Sequence, residues 1–196
     1  MSVELLVALC LFAFVSSITP GPNNIMLMNS GANYGFRKTI PHALGVGLGF
    51  TLMIVLVGLG VMKIFDAFPM SYQILKVASI AYLLYLAVKI ALSGSSKNDD
   101  NSKSKPMTFI QAALFQWVNP KAWTMALTAI SIYAPTQNIF AVAVVASVFG
   151  IVNLPCISVW VVLGQKMQLF LHSQLRMRTF NIAMAALLVV SVLPAI

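Results

Sequence analysis

The chain has 196 residues, 60% of them hydrophobic and only 8% charged, with a net charge of +8. A water-soluble domain carries about 25% charged residues to solvate its surface, so this composition excludes one. It also argues against a nucleic-acid partner, because the cations lie between apolar runs instead of gathering on one folded face.

Six apolar runs can be drawn, roughly 4–30, 39–62, 70–92, 109–133, 138–164 and 179–196. Each is about long enough to cross a hydrocarbon core of ~30 Å. Backbone amides in lipid need internal partners, so each run is expected to be a helix; the short alternating segments of a membrane barrel do not fit. The expected fold is all-α, a polytopic integral membrane protein with six transmembrane helices. The first run lacks the basic n-region of a signal peptide and carries Glu4, so residues 3–18 are expected to stay as membrane helix.

That first run is interrupted at Ile18-Thr19-Pro20-Gly21-Pro22-Asn23-Asn24. Each proline removes an amide donor and clashes one turn back, so the carbonyls of Ser16 and Ile18 are expected to lose their helical partners. Thr19 is a good N-cap type and proline suits the first helical position. A new half-helix is therefore expected to start there, with amide dipoles that attract a carboxylate or phosphate.

At the head of the second run His42 stands beside Pro41, where it is able to carry a proton; interfacial solvation is the plainer account. Gly45, Gly47 and Gly49 in this run, and Gly150 in the fifth, suit close helix packing, which is favoured over a substrate path. After the third run comes SGSSKNDDNSKSK, residues 93–105, which reads as a flexible polar linker. It divides a single transporter domain, 1–196, into halves 1–92 and 106–196. Three runs per half send the second half into the membrane from the opposite side, so a 3+3 inverted-topology repeat is expected.

The fourth run is broken at Trp117-Val118-Asn119-Pro120-Lys121, where Pro120 frees the carbonyl of Gln116 and Asn119 is placed to cap. Two breaks in corresponding runs point to a binding site near the bilayer midplane; the plain alternative is a proline kink. Lys121 lies about twelve residues from either end of its run, and a cation at such depth costs roughly 3 kcal/mol. Glu4, Asp66, Asp99 and Asp100 all fall near run ends or in connections, so a substrate is expected to supply the anion. The alternative is that Lys121 only hydrogen-bonds freed carbonyls and stabilises the break. In the fifth run, Asn153-Leu154-Pro155 forms a third interruption that adds polar lining or bends the helix.

Nine of the twelve Lys and Arg residues fall on the side of the first, third and fifth connections. The positive-inside rule places those connections in the cytoplasm and both termini outside. Cys10 and Cys156 lie in apolar runs without CxxC or Cys/His company, which leaves them as small hydrophobes with no metal or redox centre.

At these positions the chain resembles the LysE/RhtB family of amino-acid exporters. The resemblance is carried by Thr19-Pro20-Gly21-Pro22-Asn23-Asn24, Gly35-Phe36-Arg37, the Gly45/Gly49 pair and Asn119-Pro120-Lys121. Order, spacing and length agree from end to end. Asn23-Asn24 and Phe115-Gln116-Trp117-Val118-Asn119 look closest to the cysteine/O-acetylserine branch, whereas Thr39 replaces a glycine common among relatives. The resemblance implies efflux of small amino acids, homoserine- or threonine-like ones included, by antiport with protons across a bacterial inner membrane.

The substrate is expected to contact both breaks, 19–24 and Gln116 with 119–121, together with Asn153. Lys121 and the half-helix amides would hold its carboxylate. Freed carbonyls with Thr19, Asn23, Asn24 and Asn119 would take its ammonium group. A neutral amino acid fits better than lysine or arginine, because no buried acid awaits a second positive charge. An enzyme or metal transporter would need clustered ligands or a nucleophile–base pair, which His42 and His172 do not provide, so no cofactor is expected. Expected partners are the substrate, protons and the bilayer; a homodimer is an open option. A structural or assembly subunit, which needs no polar interior, is the rival reading.

Overall fold

The structure, a computed structural model, describes residues 1–61, 63, 67–93, 105–136, 138–171 and 173–191. Asp66, His172 and most of the 93–105 linker, with Lys97, Asp99, Asp100 and Lys103, lie outside them. No strand occurs among the described residues.

Helices α1 (Val3–Ile18) and α2 (Pro22–Tyr34) meet at the predicted break with a bend of 53°. Their burial is inverted with respect to their polarity. Apolar α1 buries only Leu9, Ala13 and Ser17, one residue per turn, and leaves Val3, Val7, Leu11 and Phe14 exposed. Polar α2 buries Asn24, Asn29 and Ser30 among its core residues. Lipid selects this arrangement, since it solvates apolar side chains and drives polar ones inward.

The chain continues through α3 (Phe36–Gly58), α4 (Pro69–Leu92) and α5 (Phe109–Phe115), which runs into a 3₁₀ turn (Gln116–Val118). Then come α6 (Pro120–Tyr133), α7 (Ile139–Met167) and α8 (Gln174–Val190). By length and composition α3, α4 and α7 can each cross a membrane, and the α1/α2 pair adds a fourth when the two helices are counted as one bent span. Helix length therefore supports up to four spans, short of the expected six. The fourth run is split at Asn119, and α8 has only 17 residues with Arg176 and Arg178 near its start.

Helix α7 packs against α1, α2, α3 and α6, while α3 also receives α2, α5 and α6, and α4 pairs with α8. Glycine makes the closest approaches possible. A Cβ on Gly31 would strike the Val161 carbonyl, and one on Gly164 the Met28 carbonyl, so α2 and α7 meet backbone to backbone. Gly45 and Gly49 admit Phe109 and Ala113 of α5, Gly47 faces Leu154, and Gly150 faces Thr51. These four glycines thus serve helix contact.

The third interruption does not occur: α7 runs unbroken through Pro155. A single proline forfeits one ladder bond, and a helix packed on several sides tolerates that loss. A buried polar node ties three other elements together. Asn29 and Asn33 of α2 both donate to Asn181 Oδ1 on α8, at 2.9 and 3.1 Å. Asn181 in turn donates to the Ser93 carbonyl after α4, at 2.6 Å.

Candidate functional site

The second break forms as its residues dictate. Asn119 is extended, and its Oδ1 accepts the Lys121 amide at 3.1 Å, with Pro120 in the first helical turn of α6. The freed Gln116 carbonyl accepts the Asn119 amide at 3.3 Å, and Trp123 Nε1 donates to the Trp117 carbonyl at 2.9 Å.

The first break is built differently. Thr19 closes α1 and caps nothing in α2; its Oγ1 donates to the Ser16 carbonyl at 3.1 Å. Helix α2 begins at Pro22 after an extended Gly21 and has no side-chain cap. The expected N-cap role of Thr19 fails because Gly21, which would have to be the second helical residue, precedes Pro22 and is pushed out of the α region. Thr19 and Gly21 both precede prolines, so the helix cannot restart before the second one.

Distant side chains satisfy this gap. Trp160 Nε1 of α7 donates to the Ile18 carbonyl at 3.1 Å. Asn24 Nδ2 donates to the carbonyls of Ser17 and Thr19 at 2.9 and 2.7 Å. Lys121 Nζ donates to the Thr19 carbonyl, Thr19 Oγ1 and the Pro20 carbonyl at 2.7, 3.0 and 3.2 Å. All three ammonium donors thus meet neutral oxygens, and none of these partners cancels the charge. Gly21 clears the way for the lysine stem, since a Cβ there would lie 2.6 Å from Lys121 Cδ. The Asn23 and Gln116 carboxamides exchange bonds of 2.8 and 3.3 Å. The two breaks therefore touch through both pairs.

Beside them lies a pocket with about 330 Å³ of space, counted out to its open mouth. Of the sequence-predicted residues, Gly21, Asn23, Asn24, Asn119, Lys121 and Asn153 line it. Thr19, Pro20, Pro22, Gln116 and Pro120 do not; they hold the lining residues in place. The sequence reading missed Ser16 and Ser17, and the apolar wall of Val46, Phe50, Ala122, Met125 and Ile157. Among the described residues, Ser17 Oγ is buried without a hydrogen-bond partner. Its one signal was position, in register with Leu9 and Ala13 on the buried stripe of α1.

His42 is not solvated at an interface. It is 2% exposed, and neither ring nitrogen has a partner among the described residues. It belongs to the buried face of α3 with Thr39, Val46 and Phe50. Cys156 is buried and Cys10 half-buried, and both thiols are free.

The LysE type translocator family model matches residues 14–192. Cysteine/O-acetylserine efflux proteins of Escherichia coli (strain K12) and Shigella sonnei (strain Ss046) are each 30% identical over 197 residues, covering 96% of this chain and 96% of their own. No solved structure matches the chain.

Proposed function

The chain belongs to the LysE type translocators, a family of membrane transporters and not of enzymes, and on that premise we propose that it exports small neutral amino acids of the cysteine and O-acetylserine kind. Homoserine and threonine are of similar size and polarity. Export runs as antiport with protons across the bacterial inner membrane, with the basic connections in the cytoplasm and both termini outside. Six crossings arise from two inverted halves. The packing supports this plan: α1 against α7 is answered by α5 against α3, and α2 against α7 by α6 against α3, while α3 with α7 and α4 with α8 pair like with like.

The observation that carries the reading is the Ser17 hydroxyl, unpartnered among the described residues, at a pocket that Lys121 also lines. A buried hydroxyl without a partner costs about 1–3 kcal/mol, and a polar substrate offsets that cost when it fills the pocket. Its carboxylate is drawn to Lys121, whose charge meets only neutral oxygens, and takes over one of the three bonds. The carboxamides of Asn153 and Asn24 accept from its ammonium group. Among the described residues no carboxylate lines the pocket, so a second cation on the substrate finds no counter-charge there. Lysine and arginine are thereby rejected.

Purified protein in liposomes preloaded with unlabelled O-acetylserine tests this. Labelled O-acetylserine should accumulate by counterflow, unlabelled cysteine should compete, and lysine and arginine should not. Failure to exchange any neutral amino acid would overturn the proposal.

A further inference from the structure

The buried stripe of α3 runs through Thr39, His42, Val46 and Phe50. Val46 and Phe50 form part of the pocket wall. Thr39, at the other end, is sealed by Oγ1 bonds of 2.9 Å to Ser30 Oγ and to the Gly35 carbonyl. Beyond it Arg37 and Lys38 are exposed at the basic end of the helix. His42 therefore stands one turn, about 6 Å of rise, from Val46 of the pocket wall, on the buried face of α3 between the pocket residues and the basic end.

A packing residue at this position would be apolar. An imidazole with both nitrogens unpartnered forfeits about 1–3 kcal/mol that leucine or phenylalanine would not. The elements packed against α3 bring Tyr34 from α2, Lys121 and Tyr133 from α6, and Cys156 and Lys166 from α7; α5 brings no titratable group. None of them carries a carboxylate to hold a buried imidazolium. A second proton can reside on His42 only when water reaches the ring, which requires the packing around it to open toward the pocket or toward the basic end.

We propose that His42 is the proton-binding site of the transport cycle. It takes a proton from the hydrated pocket in one conformation and releases it to water at the basic end in the other. Its neutral form belongs to the sealed state seen here. The inference rests on the antiport reading above.

The test uses the full chain in liposomes with a pH-sensitive dye trapped inside. In the wild type an imposed pH gradient should drive uptake of labelled O-acetylserine, with a matching proton flux. In His42→Gln both should fall by about tenfold or more, while counterflow at equal pH persists within about twofold. Undiminished proton flux in the variant would overturn the inference. So would loss of counterflow together with flux in a folded variant, which marks a structural role. If His42→Gln does not fold, His42→Phe, apolar and ring-sized, serves in the same measurement. A wild type that exchanges O-acetylserine without moving protons sinks both the antiport reading and this inference; one that exchanges nothing sinks the proposed function itself.

Discussion

The two breaks face the same chemical problem and solve it by opposite means. At Asn119 the repair is local: a neighbouring carboxamide, a neighbouring amide and a one-turn 3₁₀ segment fill the gap. At Thr19-Pro20-Gly21-Pro22 the nearby Asn24 supplies two bonds and the rest of the repair is tertiary, with donors arriving from Trp160 and Lys121 far along the chain. A locally repaired break is a fixed piece of architecture. One whose carbonyls are held by other helices stays intact only while those helices remain in register with it. The first break is thus the element able to sense movement elsewhere, and the second is its anchor.

The widest separation between the two should come from Lys121→Ala. It strips three bonds from the first break and removes the cation from the pocket, so O-acetylserine export should fall by more than about tenfold in protein that still inserts. Unchanged export would remove Lys121 from the mechanism. Next in size is Asn24→Leu, which leaves the Ser17 carbonyl bare and the Thr19 carbonyl with Lys121 alone. It should cost about 2 kcal/mol of stability, read as earlier thermal unfolding in detergent. Trp160→Phe keeps the ring but deprives the Ile18 carbonyl of its donor, for about 1–2 kcal/mol by the same measurement. Smallest is Asn119→Ala, about 1 kcal/mol for a lost cap, because Pro120 and the Gln116 carbonyl bond remain. If Asn119→Ala destabilised the protein more than Asn24→Leu, the contrast between the breaks would be reversed.

The same contrast explains what the sequence disclosed. Both breaks were legible, because proline chemistry is local, and so was the Asn119 cap. The glycine faces on α3 were legible as packing surfaces from their four-residue spacing. What depended on distant partners was not. Nothing near Trp160 announces a bond to a carbonyl 142 residues earlier, and the Asn23–Gln116 pair joins the halves across 93. Thr19 was misread because its cap propensity was weighed without the second proline. At Asn153-Leu154-Pro155 the polar lining is present, but the interruption is not, because the lateral packing that sustains α7 cannot be seen in its own residues. His42 looked interfacial from its place in the chain; only the neighbouring helices reveal that it is enclosed.

The Asn181 carboxamide has a mechanical consequence. Its oxygen holds α2 by two bonds and its nitrogen holds the end of α4 at Ser93, so one side chain rivets the last helix to pieces of the first half. Any stroke that swings α2 must drag α8 and the joint at residue 93 along with it, or shear that rivet. Displacement of α2 would then be passed to the point where the chain leaves α4.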